Sequence, residues 1–451
     1  MEKDEIITLK ITALTNEGFG IGKVNGMAVF VPFTAVGDEI EAKVVKVNKS
    51  YAYAKIERIL TPSPDRIENG CPAFGKCGGC AFRHISYKAE LRAKENFVKD
   101  AFTKIGGIKP NFLPIEPSDD VERYRNKLEM PVGADENGNI FCGFFASRSH
   151  RIIPVSDCLL QPEIFSEIAR FITEKARELK ISVYNEEQHQ GVLRHIFLRK
   201  SVNIENGGLC CVIVAKRKVP EFSELAKKVT EKFSQITGVV LNINPEKTNV
   251  ILGEKENLLC GKAEISDEMC KIPVEISPKS FYQVNTKAAE KIYRKAAEFA
   301  EPNGAVLLDL YCGAGTIGLS MARSAKQIIG AEIIPEAVKN ANSNAERLGI
   351  KNAEFICADA GKAAKMLSQR GILPDVILLD PPRKGCSEET LEICAKLAPK
   401  RIVMISCSPA TAARDCKRLA ELGYAAVTAQ AFDLFPRTKH VECVILLNRE
   451  K

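Results

Sequence analysis

The chain of 451 residues contains no tryptophan, and that absence by itself excludes little. More follows from the lack of any apolar run near the ~20 residues a helix needs to cross a bilayer, so no membrane-spanning segment is expected. The start, Met1 to Glu5, mixes acidic and basic residues and leads into alternating sequence rather than an apolar leader core. No secretory signal is expected, and a cytoplasmic location is. In that compartment the 16 cysteines should be thiols or metal ligands rather than disulfides. What is present supports packed cores: 45% of residues are hydrophobic, which excludes wholesale disorder. The length suggests about two to four domains. A net charge of +7 is compatible with a polyanionic partner.

Residues 5 to about 60 read as short strands separated by turn signals, with Asn25-Gly26 marking a hairpin. Five such strands predict a small OB-like barrel, a shape often used for nucleic acid. Through Gly18-Phe19-Gly20, Val29-Phe30-Val31-Pro32 and Gly37-Asp38 this stretch resembles the TRAM domain, an RNA-binding module. Phe19, Phe33, Tyr51 and Tyr53 are candidates for stacking on bases beside Lys43, Lys46, Lys49 and Lys55. The competing expectation is that half of these rings fill the barrel.

After a proline-rich joint at 61–65 come Cys71, Cys77 and Cys80, a C-x5-C-x2-C array with interleaved glycines. Thiolates so closely spaced point to zinc or an iron–sulfur cluster, and four ligands are normally needed. Cys158 is the best candidate for the fourth, with Cys142 as competitor; spacing alone does not choose the metal. Residues 86 to about 105 read as an amphipathic helix whose Lys88, Arg92, Lys94 and Lys99 are expected to form a largely solvated face. Basic groups at 123–127, 147–151 and 192–199 could hold phosphates.

From residue 300 onward strands and helices alternate, with strands expected at 305–310, 327–332, 353–358, 374–380, 400–406 and 441–447. This predicts a parallel, doubly wound sheet. Asp309-Leu-Tyr-Cys-Gly313-Ala-Gly315-Thr316 is a strand-to-helix turn that a ligand can approach closely, and Glu332 at the next strand's end could accept bonds from ribose hydroxyls. The turn lacks the full GxGxxG pattern, which disfavours a dinucleotide and favours S-adenosylmethionine. Asp359, at the end of the third strand, could meet the adenine amino group or merely cap the strand's end. Asp380-Pro381-Pro382-Arg383 fixes a carboxylate at the sheet's carboxyl edge. Cys407 follows one apolar run and Glu442 precedes another, so a thiol and a carboxylate could face one substrate.

Five ordered motifs carry a resemblance over nearly the whole chain: Phe281-x-Gln283-Val-Asn285, Asp309-Leu-Tyr-Cys-Gly-x-Gly, Asp380-Pro-Pro-Arg, Ser406-Cys407-x-Pro409 and Asp433-x-Phe-Pro-x-Thr438-x-His440-Val-Glu442. Together they resemble the RNA 5-methyluridine methyltransferases, and the TRAM-like start with the cysteine array resembles that family's cluster-bearing branch. The resemblance implies a Rossmann-like catalytic domain at 271–451, a TRAM barrel at 1–60 and an α+β central domain at 61–270. It implies Cys407 as nucleophile and Glu442 as general base. Gln283, Tyr311, Glu332 and Asp380 would contact or enclose S-adenosylmethionine; Thr316 stands where some members carry Asn. Cys71, Cys77, Cys80 and Cys158 would hold a structural [4Fe-4S] cluster, with zinc the alternative. The implied partner is RNA, 23S rRNA ahead of tRNA, and the expected state is a monomer. A catalytically silent RNA-binding or ribosome-assembly factor is the reading from another class.

Overall fold

The computed structural model describes residues 1–450. Strands β1 (Ile6–Lys10), β2 (Ala13–Leu14), β3 (Phe19–Val24), β4 (Met27–Pro32), β5 (Glu39–Val47) and β6 (Tyr51–Thr61) form one barrel-like sheet in the order β1-β5-β6-β4-β3-β2. Its core is the inward half of an alternating pattern: Ile7, Leu9, Val29, Val31, Ile40, Ala42, Val44, Ala52 and Ala54. Asn25 and Gly26 join β3 to β4 with φ of 50° and 81°, the left-handed pair a two-residue type I′ turn demands.

Helix α1 (Tyr87–Asp100) starts where the Ser86 hydroxyl accepts from the Ala89 N–H at 3.2 Å. A π-helical turn, Ala101–Gly106, follows it, and Gly107 ends it at φ 67°. Strand β7 (Asn111–Glu116) comes next. The expected solvated face of α1 is corrected at Lys94, which is completely buried among acidic partners described below.

By packing, the chain forms two compact units, one of residues 1–70, 80–119 and 291 onward, the other of 71–79 and 120–290. The second unit holds β8 (Lys127–Ala134), β9 (Ile140–Phe145), β10 (Ile152–Pro154), α2 (Glu163–Glu178), β11 (Leu193–Lys200), β12 (Leu209–Ala215), α3 (Glu221–Lys232), β13 (Ile236–Ile243), β14 (Lys255–Gly261), β15 (Ile265–Met269) and β16 (Ile272–Ile276). Seven of these strands make a sheet ordered β10-β9-β8-β11-β12-β13-β14, and β15 pairs with β16. Every residue of β12 is buried, as befits a central strand written Leu-Cys-Cys-Val-Ile-Val-Ala. Phe165, Ile168 and Ile172 of α2 and Phe222, Leu225 and Val229 of α3 join its core.

The remaining elements are α4 (Thr286–Ala300), β17 (Val306–Leu310), α5 (Thr316–Met321), β18 (Gln327–Glu332), α6 (Pro335–Arg347), β19 (Ala353–Cys357), α7 (Ala360–Gln369), β20 (Val376–Leu379), α8 (Glu388–Lys396), β21 (Arg401–Ser406), α9 (Pro409–Glu421), β22 (Tyr424–Phe432) and β23 (Glu442–Arg449). The sheet they build has eight strands in the order β19-β18-β17-β20-β21-β23-β22-β7. The first five run parallel. The expectation of a wholly parallel sheet is corrected at β23, which is antiparallel to both β21 and β22. Strand β22 has no counterpart among the expected strands, and β7, from far upstream, lies parallel to it at the sheet's edge.

Candidate active site

The direction of β23 decides where Glu442 lies. Antiparallel pairing sets Ser406 opposite Cys443, so the next position in register sets Cys407 opposite Glu442. Had β23 run parallel to β21, its first residue would lie at the other edge of the sheet. Cys407 sits in a turn closed by the Ser408 N–H donating to Ser406 Oγ at 3.1 Å, and Pro409 opens α9. Glu442 is buried, whereas Cys407 is half-buried.

Both groups are held toward their neutral forms. Burial pushes the Glu442 carboxyl up to about 8, assisted by the nearby negative charge of Asp380 and opposed by Arg383. Burial pushes Asp380 up to about 7. The Cys407 thiol is raised by burial and by Glu442, while the Arg383 guanidinium pulls it down through its charge and a hydrogen bond. Arg383 thus supplies a thiolate-favouring interaction at Cys407. The sign of each neighbour gives a direct test. The pH midpoint for alkylation of Cys407, followed by peptide mass mapping, should fall in Glu442→Gln and rise in Arg383→Ala. Unmoved midpoints would contradict this electrostatic picture.

Along the same edge, the turn after β17 passes through Tyr311 at φ 67° and Gly313 at φ 54°. A Cβ at Gly313 would meet no atom within 4 Å, so the turn is open on that side. Gly315, by contrast, lies where a Cβ would come within 2.7 Å of the Phe355 ring. Glu332 ends β18 and accepts from the Gly313 N–H at 3.1 Å, from Ile333 at 2.8 Å and from Ile334 at 3.0 Å. Three of its roughly four acceptor positions are therefore used, leaving room for one more donor. Asp309 is wholly buried; one oxygen accepts from the Gly318 N–H at 3.1 Å and the other has no partner. An open turn beside acidic groups with spare acceptor capacity suits a cationic, hydroxyl-bearing ligand.

Other candidates have more structural surroundings. Tyr311 packs against the sheet's core with its hydroxyl near Thr390 and Cys386. Asp359 caps α7, accepting from the Lys362 N–H at 2.9 Å and pairing with its ammonium at 3.2 Å. Thr316 is the first residue of α5 and half-buried. In the second unit, Asn126 Nδ2 donates to the Gln283 carbonyl at 2.8 Å and fixes the motif's backbone, while Phe281 is 83% exposed. Arg194 and Arg199 are buried and donate to backbone carbonyls, so the expected phosphate role for 192–199 is corrected there.

Cys71, Cys77 and Cys158 border the same core of the second unit. Burial raises Cys158 to about 11, and the neighbouring Cys77 and Cys71 push it further in the same direction. Cys142 is raised by burial without such a contribution, so Cys158 is the cysteine associated with this pair. Cys80 belongs to the first unit. Among the described residues, no set of three or more His, Cys, Asp or Glu side chains is gathered to hold a metal ion.

On the barrel, the outer face of β3, β4 and β6 carries four neighbouring rings. Phe30 lies 5.6 Å from both Tyr51 and Tyr53, Tyr51 is 5.7 Å from Tyr53, and Phe19 is 6.1 Å from Tyr53. All four keep exposed surface, so they do not fill the barrel. Phe33 stands apart against His84. Lys43 and Lys55 are paired with Asp4 and Glu57, whereas Lys46 and Lys49 have no acidic partner among the described residues.

Comparison with known proteins accords with this geometry. The family model described as tRNA (Uracil-5-)-methyltransferase matches residues 86–450. The chain belongs to that family. The TRAM domain model matches residues 2–56. An uncharacterized RNA methyltransferase of Clostridium tetani is 40% identical over 449 residues, covering 99% of this chain and 97% of that protein. One of Clostridium acetobutylicum is 40% identical over 454 residues, covering 100% and 98%. Among solved structures, Pyrococcus abyssi tRNA (uracil-54, C5)-methyltransferase in complex with S-adenosyl-L-homocysteine superposes with a TM-score of 0.77 at 26% identity, covering 98% of this chain and 100% of that one. This family member is accordingly an RNA methyltransferase of the uracil-5 class with an N-terminal TRAM domain. No helix among its described residues is long and apolar enough to cross a membrane.

Proposed function

We propose that the protein methylates C5 of a uridine in RNA through a transient bond between Cys407 Sγ and C6 of the base. The observation that carries this reading is the facing of Cys407 and Glu442 across the β21–β23 pair, with Asp380 and Arg383 close to both. Uracil C5 is a weak nucleophile. Addition of the Cys407 thiolate to C6 forms the S–C6 bond and moves the ring's electrons into an enolate, which makes C5 electron-rich. S-adenosylmethionine, held against Glu332 and Asp380, would supply the electrophilic methyl group: the C5–CH3 bond forms as the donor's S–CH3 bond breaks, and S-adenosylhomocysteine leaves. Glu442 then takes the C5 proton, the electron pair re-forms the C5–C6 double bond, and the S–C6 bond breaks to free Cys407. An ionised carboxylate is needed for that step, so activity should rise with pH as Glu442 deprotonates. A base stacked inside folded RNA does not reach a thiol at the sheet edge, so the target uridine is read as flipped out or taken from a loop.

The four rings on the barrel, with Lys46 and Lys49 beside them, fit unpaired nucleotides of the same RNA, because base stacking tolerates any sequence. Tyr53→Ala should weaken RNA binding by about 1–3 kcal/mol. It should appear as a raised KM for RNA at unchanged kcat; a lowered kcat with normal KM would argue against a binding platform.

The finer substrate reading is 23S rRNA, supported by the resemblance of the barrel and cysteine array to the cluster-bearing branch. A tRNA reading is favoured by the full-length likeness to the Pyrococcus abyssi tRNA enzyme. Mass mapping of 5-methyluridine in both RNAs from cells lacking the protein separates the two, and unchanged modification in each would overturn both.

For the cysteines, the reading is a structural [4Fe-4S] cluster on Cys71, Cys77, Cys80 and Cys158, supported by an all-thiolate donor set and by the proximity through which Cys71 acts on Cys77 and both act on Cys158. Anaerobically purified protein should be brown with iron and sulfide in equal amounts, and Cys77→Ser should lose both. Colourless, zinc-loaded protein would overturn the cluster in favour of zinc.

A further inference from the structure

Glu442 follows the loop 433–441, which belongs to no helix or strand. A carboxylate that must meet a C5 proton needs a fixed position, and this loop has no ladder of its own to supply one. Helix α1 supplies one instead. The Lys94 ammonium, wholly buried, donates to Asp433 Oδ1 at 2.6 Å and to the Phe435 carbonyl at 3.0 Å, and it pairs with Glu90 one turn earlier at 2.8 Å. Glu90 in turn accepts from the Arg437 N–H at 2.7 Å. Residues 433, 435 and 437 are thus each gripped from α1. The Tyr87 hydroxyl faces Asp433 as well and accepts from the Ser118 N–H at 2.9 Å.

Arg437 shows what the grip opposes. Its φ is 68°, a left-handed conformation that a bulky residue adopts only when its surroundings impose it. Its N–H is bound by Glu90, and its carbonyl accepts from the Ala81 and Phe82 N–H groups at 2.8 and 3.1 Å. Its guanidinium donates to the Ile85 carbonyl at 2.9 Å and lies 3.6 Å from Glu90. A buried set of two cations and two carboxylates is weak evidence for stability, since apolar side chains of similar volume often serve as well. It is well suited to holding one conformation of an irregular segment.

We propose that Lys94, with Glu90 and Arg437, is a positioning residue that fixes the loop 433–441 so that Glu442 meets the C5 proton. The inference rests on the reading of Glu442 as general base. It assigns Lys94 to the proton-removal step and not to thiol addition, because the grip ends on the β23 side of the Cys407–Glu442 pair.

The test uses the full chain and a denaturing gel that retains covalent protein–RNA adducts. Lys94→Met, shown to be folded by circular dichroism, should lose kcat on the order of 10²-fold, the effect of a misplacement near 1 Å. KM for RNA should be little changed, and the Cys407–RNA adduct should accumulate. Should Lys94→Met fail to fold, Arg437→Gly decides: it relieves the backbone strain, removes the guanidinium anchor and should give the same accumulation with a milder loss of kcat. A folded variant with wild-type kcat, or one that loses activity without adduct, overturns the proposal. Glu442→Gln on the same gel separates the two levels. If it also shows no adduct, the assignment of the base is wrong; if it does and the Lys94 and Arg437 variants do not, only the positioning role falls.

Discussion

Replacing Cys407 by Ala is expected to reduce methyl transfer on the order of 10⁴-fold or more, with RNA and S-adenosylmethionine binding retained. The size of the loss follows from the chemistry. Without a sulfur to add at C6, no enolate forms, and no other group at this edge replaces it. Cys443 stands across the strand pair, opposite Ser406, but its thiol is completely buried, hydrogen-bonded to the Ser406 carbonyl at 3.5 Å and pushed well above the usual thiol range by burial. Cys416 is likewise buried behind the sheet. The measurement is single-turnover transfer of labelled methyl to RNA, with donor binding by calorimetry as the control for folding. Retained turnover would mean that methylation proceeds without a covalent adduct. A Ser at this position should be nearly as inactive, because a hydroxyl is scarcely ionised at neutral pH.

Glu442→Gln is the second large effect, and it differs in kind. Thiol addition and methylation remain possible, but the C5 proton has no acceptor, so the S–C6 bond does not break. The variant should lose turnover by roughly 10²–10⁴-fold and accumulate a protein–RNA adduct. Its stability should move the other way. Glu442 ordinarily titrates near 4.5 and is pushed up to about 8 in the folded, ligand-free protein by burial and by Asp380. The folded state therefore holds a proton that the unfolded chain releases between these values, so wild-type stability falls as pH rises from about 4.5 to 8. The amide carries no such cost. Melting temperatures of the two proteins should nearly coincide at pH 4.5, and Glu442→Gln should be the more stable at pH 8, by roughly a few kcal/mol. A wild type that melts higher than the variant at alkaline pH would show that the carboxylate is stabilised rather than strained in its site. Retention of a disfavoured charge where an amide would be more stable is the signature of a group kept for chemistry.

Lys94 is a second buried ionisable side chain, and its burial could not be read from its own helix. Sequence placed it on an amphipathic segment among Lys88, Arg92 and Lys99, where a solvated face is the ordinary outcome. Periodicity reports which residues share a side of a helix, but not what lies against that side. Asp433 and Phe435 are more than three hundred positions away in the chain, and their approach to α1 is what turns one lysine of that series into a buried ion. The aromatic residues of the barrel show the same limit on a smaller scale. Tyr51 and Tyr53 were candidates for stacking or for filling the barrel, and on β6 they keep exposed surface while Ala52 and Ala54 are buried. The neighbour that completes the ring cluster is Phe30, because β4 pairs with β6 and sets Phe30 beside Tyr53; Phe33, beyond the end of β4, turns away to His84.

Local sequence by itself determined most strands of the barrel and of the catalytic sheet, the Asn-Gly turn, and which side chains can do chemistry, since backbone conformation, burial preference and reactivity are properties of a few adjacent residues. That is why Cys407, Glu442, Asp380 and Glu332 could be named from the sequence. The direction of β23, the addition of β22 and β7 to the sheet, the arrival of Arg383 beside the thiol and the burial of Lys94 were decided by tertiary structure. Each depends on pairing between segments distant along the chain, where the free energy comes from shared burial and matched charge that no single segment contains.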